Sequence, residues 1–356
     1  MHERDAADVD GRHTTGVDER DAAGVDGRHT VGVDERDAAG VDGRHTAGVG
    51  GDPVLAWLLD GDVAVAYQGT RDLLGRDDPA LQARIATEGY GAALLAAQGP
   101  EGHWGRGFYQ PKWTCSHYTL LELKNLGLHP TAPRPRQAVA RILAEGTGPD
   151  GGLNPSGTVR ASDVCINGMA LGYAAYFGAD TALLAGIVDF VLGQRMPDGG
   201  FNCRSNRSGA RHSSVHSTTS VLEGVTEYLR RGHEHRAREL ETAAAGAVEF
   251  LLRHRLYRSE RTGAPIHPEL TRLHHPSRWY YDVLRGLDAL RDAGVGRDPR
   301  MGDALDLLRR RRRPDGRWVV NRAYPGASHV PAPQAGRPDP WITLGALRVL
   351  ARYDRT

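Results

Sequence analysis

A turn motif that recurs about every 50 residues constrains the fold of this chain more than any other feature of its sequence. Each copy is a Pro-Asp-Gly type turn followed by one large apolar residue, and the copies are GPEGHWGRG, GPDGGLNPS, MPDGGFNCR and RPDGRWVVN. The apolar residues Trp104, Leu153 and Phe201 are 49 and 48 residues apart, and Trp318 follows after 117, about two periods. Repeats of this length are typical of helical arrays.

Amphipathic helix patterns lie on both sides of these turns. Apolar residues at helical spacing precede the turns, at 80–98, 136–146, 181–194, 240–254 and 301–312. A second helix follows each turn, and glycine and alanine are frequent in these second helices, as in INGMALGYAAYFGA. Almost no strand pattern interrupts the series. Residues 53–356 are therefore expected to form an all-α domain of about five to six helical hairpins.

Hairpins of this kind have two possible arrangements. They stack into an open solenoid, or they close into a ring with one helix layer inside and one outside. The small residues of the second helices favour tight packing in an inner layer. We therefore predict a closed α/α toroid whose central cavity is lined by the N-terminal ends of the inner helices.

The first 52 residues have a different character. Three copies of a 16-residue unit, one of which is DERDAAGVDGRHTVGV, fill residues 2–49. The unit is polar and acidic and has too few apolar residues to form a core. We expect residues 1–52 to be disordered and to lie outside the toroid.

Composition and charge exclude several other classes of protein. A net charge of +1 gives no reason to expect nucleic acid as a partner. Three cysteines do not make a disulfide framework in a chain of this length, and they fit a reducing compartment or a metal site. The N-terminus lacks the pattern of a secretory signal, and the longest uncharged run, 164–179, is too short to span a bilayer. We expect a cytoplasmic protein that does not span a membrane.

The starts of the second helices carry the candidate site residues. Aligning these five helices on one leucine each places the following residues six positions upstream: His117, Cys165, His216, Tyr281 and Trp341. Eight positions upstream of the same leucines are Cys115, Asp163, Ser214, Trp279 and Asp339. If the hairpins are equivalent, all of these residues face one mouth of the ring.

Asp163 and Cys165 are candidate ligands of a metal ion. Side chains two residues apart diverge on a regular helix, so both reach one ion only if Asp163 is the extended cap residue and Cys165 lies in the first turn. The helix N-terminus favours the thiolate that binds metal, and His216 would be the third ligand. Three ligands leave a coordination position open, as in catalytic zinc sites. The alternative is a purely structural role: a cap, a small core residue and a hydrogen-bonded histidine.

The hairpins with their Asp-Gly-aromatic turns resemble the squalene cyclase and protein prenyltransferase superfamily of α/α toroids over about residues 53–356. Within it, SDVCINGMAL and SVHSTTSVLEG resemble the zinc segments of the protein prenyltransferase β subunit. The resemblance implies that Asp163, Cys165 and His216 bind Zn²⁺. In those enzymes basic residues ahead of the Asp-x-Cys pair bind the diphosphate. Here Arg160 precedes the pair, but Gly157 replaces the further basic residue and Ile166 replaces a tyrosine.

We therefore expect a zinc-dependent transferase that directs a thiol at an isoprenoid diphosphate or a similar electrophile. Arg160 and His117 are expected to contact the diphosphate, although His117 could instead act as a general acid or base. Tyr281 would belong to an aromatic wall for the isoprenoid chain or for a cation, together with Trp113, Trp279, Tyr280 and Trp341.

Two alternatives are open: a non-catalytic toroid that binds a peptide or lipid, and another zinc-dependent thiol addition or hydrolysis. Terpene cyclisation is disfavoured, because residues 53–356 contain neither Asp-x-Asp-Asp nor Asp-Asp-x-x-Asp. The acceptor, the length of the isoprenoid and the need for a partner subunit are not defined by the sequence.

Overall fold

The computed structural model describes residues 51–154, 160–321, 324 and 326–354. The tandem repeats of residues 2–49 lie outside the described residues, so their disorder stays a prediction. Within the described ranges the chain is helical, and β-structure is limited to three isolated bridges. The helices are α1 (Pro53–Leu59), α2 (Val63–Leu74), α3 (Pro79–Arg84), α4 (Gly89–Ala96), α5 (Ser116–Leu126), α6 (Pro133–Glu145), α7 (Val164–Tyr176), α8 (Thr181–Gly193), α9 (Ser205–Ser208), α10 (Val215–Arg230), α11 (Ala237–Arg253), α12 (Val283–Asp292), α13 (Gly302–Arg310) and α14 (Pro340–Tyr353).

The helices form a closed ring of two layers. In the inner layer α5 packs against α7, α7 against α10, α10 against α12, and α12 against α14. The ring closes because α14 packs against α2, which reaches α5 through α4. The outer helices α1, α6, α8, α11 and α13 each pack against one inner helix. The predicted all-α toroid is confirmed, and no described helix has the length and apolar character needed to cross a membrane.

The recurring turn motif attaches each turn to the following inner helix through one hydrogen bond. The backbone N–H of each large apolar residue donates to a polar side chain near the start of that helix. The pairs are Trp104 with Ser116 Oγ (3.0 Å), Leu153 with Asn167 Oδ1 (2.7 Å), Phe201 with Thr218 Oγ1 (3.0 Å) and Trp318 with Thr343 Oγ1 (3.1 Å). All four apolar side chains are buried. The turn and the inner helix are thus joined at a dry position, which orients the helix start.

The closest contact in the inner layer is between α7 and α10. Gly168 and Gly224 face each other, and a Cβ atom on Gly224 would overlap the carbonyl oxygen of Gly168. A Cβ atom on Gly168 would lie 2.8 Å from the carbonyl oxygen of Ser220. The glycines of these helices therefore allow a backbone approach that any side chain would prevent.

A network of charged side chains joins the first and last inner helices. On α14, Arg348 donates to Asp288 Oδ1 of α12 at 2.9 Å and to Asp72 Oδ2 of α2 at 3.2 Å. Its guanidinium also reaches Gln68 of α2, whose side-chain amide donates to the carbonyl of Asn125 on α5. This network links α14 and α2, which close the ring, to their neighbours α12 and α5.

Candidate active site

The start of α7 has the backbone geometry that the metal hypothesis requires. Asp163 is the N-cap residue in extended conformation (φ −90°, ψ 123°), and Cys165 lies in the first turn. The carboxylate of Asp163 makes no capping hydrogen bond, unlike that of Asp339 at the start of α14. A simple capping role therefore does not account for Asp163.

Cys203 is a neighbour of Cys165 that the sequence reading missed. The backbone N–H of Cys165 donates to Cys203 Sγ at 3.2 Å, and the hydroxyl of Ser217 donates to the same sulfur at 3.3 Å. The hydrogen bond between the two thiols, followed by burial and by the charge of Asp163, raises the pKa of the Cys165 thiol. The expectation that the helix N-terminus favours a thiolate here is wrong for this arrangement, because the thiol hydrogen bond and burial outweigh the backbone hydrogen bond from Ile166, which lowers the pKa.

The described side-chain contacts of His216 are with residues just before α12. Its Nδ1 accepts a hydrogen bond from the backbone N–H of Tyr281 at 2.9 Å, and its ring lies edge-on to Trp279 at 5.5 Å. Among the described residues, no three His, Cys, Asp or Glu side chains form a group that could hold a metal ion. As arranged, Asp163, Cys165 and His216 do not fit Zn²⁺, and the zinc ion stays a prediction.

The leucine alignment places the start of α12, the inner helix of the fourth hairpin, three residues too early. The N-cap residue lies eight positions before the aligned leucine in α5, α7, α10 and α14. In α12 it is Asp282, only five positions before Leu287. Asp282, and not Trp279, is thus the counterpart of Asp163. The alignment of Tyr281 with Cys165 was wrong, because identical leucine spacing does not locate a helix start.

Tyr281 makes structural contacts. It precedes α12 and is buried, and its hydroxyl donates to the carbonyl of Leu256 at 2.6 Å. Burial raises its pKa well above the ordinary value. The side chain therefore holds the helix start against the end of the preceding hairpin, and a catalytic role for Tyr281 stays a prediction.

His117 is enclosed by aromatic rings at the start of α5. The rings of Phe108, Tyr109, Tyr118 and Tyr173 surround it, and its Nδ1 lies 3.3 Å from the hydroxyl of Tyr173. Burial lowers the pKa of His117 to about 3. The imidazole is neutral at physiological pH, so it offers no positive charge for a diphosphate.

Arg160 lies at the border of the described residues. Its side chain is exposed, and residues 155–159, which include Gly157, are outside the described ranges. A contact between Arg160 and a diphosphate therefore stays a prediction.

A small cavity inside the ring mouth contains a carboxyl that the sequence reading also missed. The cavity has a volume of about 50 Å³, and Glu122 of α5 forms part of its wall. Burial raises the pKa of Glu122 to about 7, although the guanidinium of Arg278 opposes the shift. The signal in the sequence was a glutamate between two leucines of α5, about one and a half turns after His117. A carboxyl with this pKa is suited to donating a proton near neutral pH.

Aromatic and ionisable side chains complete the cavity wall. Arg278 lies over the ring of Trp113, 4.3 Å from its centroid, and burial lowers its pKa. The ring of His275 stacks on Trp341 with centroids 5.5 Å apart, and burial also lowers its pKa. Asp339 Oδ2 lies 3.9 Å from His275 Nδ1, while Asp339 Oδ1 caps α14. The cavity thus combines a protonatable carboxyl with π-surfaces and one buried guanidinium.

Residues of the segment 326–333 form one side of this cavity. Gly326, Ser328 and Val330 contribute to its wall. The ring Nε2 of His329 lies 3.1 Å from the carbonyl oxygen of Thr114, just before α5. This segment, which follows the last turn motif, therefore lies against the start of α5.

No family model matches this chain, and no curated protein matches it. Among solved structures, a protein from Actinoplanes is 16% identical, over 81% of this chain and 89% of its own, with a TM-score of 0.45. The type II terpene cyclase MstE from Scytonema is 17% identical, over 76% of this chain and 96% of its own, with a TM-score of 0.33. A variant of that cyclase in complex with geranylgeranyl dihydroxybenzoate is 16% identical, over 75% of this chain and 94% of its own, with a TM-score of 0.29. Similarities at this level assign no activity to this chain.

Proposed function

We propose that this chain is an enzyme that protonates an apolar, isoprenoid-like substrate inside its ring, with Glu122 as the general acid. The observation that supports it most directly is the carboxyl of Glu122 on the cavity wall, with a pKa of about 7. About half of such carboxyls carry a proton at neutral pH, which is the form a general acid needs.

The surrounding residues suit the charge changes of such a reaction. Glu122 would donate its proton to one carbon of a double bond, whose π electrons form the new C–H bond and leave a cation on the other carbon. The π-surfaces of Trp341, Tyr90 and Tyr324, which line the cavity, would stabilise that cation. The Glu122 carboxylate that remains would face the positive charge of Arg278. If another double bond attacks this cation, a C–C bond forms and the positive charge moves to the far carbon of that double bond. The last cation is removed by release of a proton to water or to the Glu122 carboxylate.

The absence of an Asp-x-Asp-Asp motif does not argue against this reaction. The absence of that motif was the ground for disfavouring terpene cyclisation, but under this proposal the half-buried Glu122 of α5 would supply the acid. The disfavouring is therefore not supported. A cavity of about 50 Å³ has room for a few water molecules only, so binding of a substrate would require the wall of the cavity to move apart.

The test is turnover of linear prenyl compounds in D₂O. We expect products that carry deuterium at one new C–H bond, detected by mass spectrometry. Glu122→Gln should lower the rate by roughly 10²-fold or more, and the wild-type rate should fall as the pH rises through about 7, because the acid must be protonated. Glu145→Gln, on the exposed side of α6, is the matched control. Full activity of Glu122→Gln, or a rate that increases with pH, would contradict the proposal.

Zinc-dependent transfer of an isoprenoid to a thiol is a second proposal. It is supported by the extended cap residue Asp163, by Cys165 in the first turn of α7 and by Cys203 beside it, since carboxylates and thiols are ligands that zinc accepts. It requires a rearrangement of these side chains and of His216, because the described arrangement does not fit the ion.

Metal content tests the second proposal. Under it, the purified protein holds one zinc per chain, which Cys165→Ser and Cys203→Ser lose and Cys115→Ser retains. Wild-type protein without zinc, or equal zinc in all three variants, would rule it out. If neither zinc nor any product is found, a non-catalytic toroid that binds a peptide or lipid is the remaining function.

A further inference from the structure

Two buried hydrogen-bond donors on the cavity wall lack acceptors. Within the described part of the chain, neither Arg278 Nη1 nor Trp341 Nε1 has a hydrogen-bond partner. Both residues line the cavity that Glu122 borders, and Arg278 is only 9% exposed. A buried donor without an acceptor costs about 1–3 kcal/mol, and more when it is charged. Such donors therefore indicate a group that is held in the cavity when a ligand is bound.

We propose that this cavity binds the carboxylate end of a ligand, which accepts hydrogen bonds from Arg278 Nη1 and Trp341 Nε1. This inference deepens the proposed function. It rests on that function only for the claim that the rest of the ligand is apolar. It assigns a role to Arg278 and Trp341 that proton transfer by Glu122 does not require.

The charges around the cavity favour a carboxylate over a phosphate. Arg278 is the one cationic side chain on the described wall, since burial lowers the pKa of His275. Asp339 lines the same cavity, where one of its oxygens caps α14 and the other lies beside His275. One guanidinium balances a single negative charge, which favours a carboxylate over a doubly charged phosphate.

The bound carboxylate and the acid Glu122 are coupled through Arg278. The guanidinium of Arg278 lowers the pKa of Glu122, and a carboxylate on Arg278 offsets that effect and keeps Glu122 protonated. By reciprocity, affinity for the carboxylate falls when Glu122 loses its proton above about pH 7. Besides Glu122, the ionisable groups that act on Arg278 are Tyr118 and Tyr280, and His275, Asp339 and Tyr90 also line the cavity. Burial raises the pKa of Tyr118 well above its usual value and lowers the pKa of His275.

The experiment measures binding of small probes to the full chain, without turnover. Acetate, the neutral isostere acetamide and inorganic phosphate are titrated at pH 6 and pH 8, and ligand-observed NMR reports each dissociation constant. Arg278→Gln removes the guanidinium, and Trp341→Phe keeps the ring but removes the N–H. Arg317→Gln is the matched control, because Arg317 also lies over a tryptophan, 4.2 Å from the Trp57 centroid, but outside the cavity.

We expect acetate to bind more tightly than acetamide and phosphate. Arg278→Gln should weaken acetate binding by about tenfold or more, Trp341→Phe by a smaller factor, and Arg317→Gln not at all. The wild-type affinity should fall between pH 6 and pH 8, and Glu122→Gln should remove that fall. Tighter binding of phosphate, equal binding of acetamide, or an unchanged affinity in both Arg278→Gln and Trp341→Phe would overturn the inference. Circular dichroism separates a lost site from a variant that fails to fold, and these outcomes do not depend on whether Glu122 protonates a substrate.

Discussion

At the scale of single residues, burial sets the protonation states inside the ring. Burial raises the pKa of Glu122 to about 7 and lowers that of His117 to about 3, so both side chains favour their neutral forms. The two residues lie on the same helix and face different surroundings: Glu122 borders the cavity, and His117 is enclosed by aromatic rings. Only Glu122 therefore changes charge near neutral pH and within reach of a ligand.

The raised pKa of Glu122 predicts a pH-dependent stability effect. Between about pH 4.5 and pH 7 the folded chain binds a proton at Glu122 that the unfolded chain has lost, so wild-type stability falls as the pH rises through this range. Glu122→Gln does not titrate. From pH 4.5 to pH 8, we expect the free energy of unfolding of Glu122→Gln, relative to wild type, to increase by up to about 3 kcal/mol. Urea unfolding at both pH values measures this, and a difference that is independent of pH would refute it.

At the scale of the helical hairpin, one buried hydrogen bond joins each turn to its inner helix. The periodic turn motif predicted the hairpins, but the polar partner of each anchor residue varies among serine, asparagine and threonine. The spacing between anchor and partner also varies, because the loop ahead of each inner helix differs in length. For this reason the hairpins were recognisable from the sequence, whereas the start of α12 was misplaced by three residues.

Neighbouring threonines on α10 test the contribution of this hydrogen bond. Thr218 Oγ1 accepts from the backbone of Phe201, whereas the buried Thr219 Oγ1 has no hydrogen-bond partner in the described residues. Thr218→Val should destabilise the fold by about 1–3 kcal/mol, since it leaves a buried N–H unpaired. Thr219→Val should be neutral or stabilising. Urea denaturation measures both changes, and equal destabilisation by the two substitutions would count against this role.

At the scale of the whole molecule, closure of the ring depends on contacts between residues about 280 positions apart. Arg348 joins α14 to α12 and α2, and its guanidinium is charged and largely enclosed, with Asp288 and Asp72 as partners. The sequence offered both an open solenoid and a closed ring. The structure distinguishes them through this seam between the first and last inner helices.

Loss of Arg348 should weaken the closed ring. Arg348→Met removes the positive charge shared by Asp288 and Asp72, and we expect a loss of about 2–4 kcal/mol in the free energy of unfolding. Arg309→Met, which removes more exposed pairs with Asp306 and Asp354, should cost less than about 1 kcal/mol. Chemical denaturation of the two variants gives the comparison. Similar values for both would show that the seam does not depend on Arg348.

The tandem repeats are expected to be dispensable for the fold. α1 begins at Pro53, and the side chain of Asp52 caps it by accepting from the backbone N–H groups of Val54 and Leu55. A chain that starts at Gly51 should therefore unfold at the same denaturant concentration as the full chain. A chain that starts at Pro53 lacks the cap and should lose about 1 kcal/mol. A large loss in the first of these truncations would show that the repeats contribute to the folded domain.

The sequence by itself determined the helical hairpins and the extended cap at Asp163, because these depend on local periodicity, turn chemistry and the residue types at helix starts. It favoured a closed ring over an open solenoid, but the contacts between the first and last inner helices decided the closure. Tertiary structure alone decided which side chains meet. It paired Cys165 with Cys203, directed His216 to Tyr281, and placed Glu122 and Arg278 on one cavity wall. Such neighbours come from different hairpins, and the pKa of Glu122 depends on burial and on the charge of Arg278. Neither the distance nor the burial is encoded in the local pattern around Glu122, so the candidate acid became visible only in the folded ring.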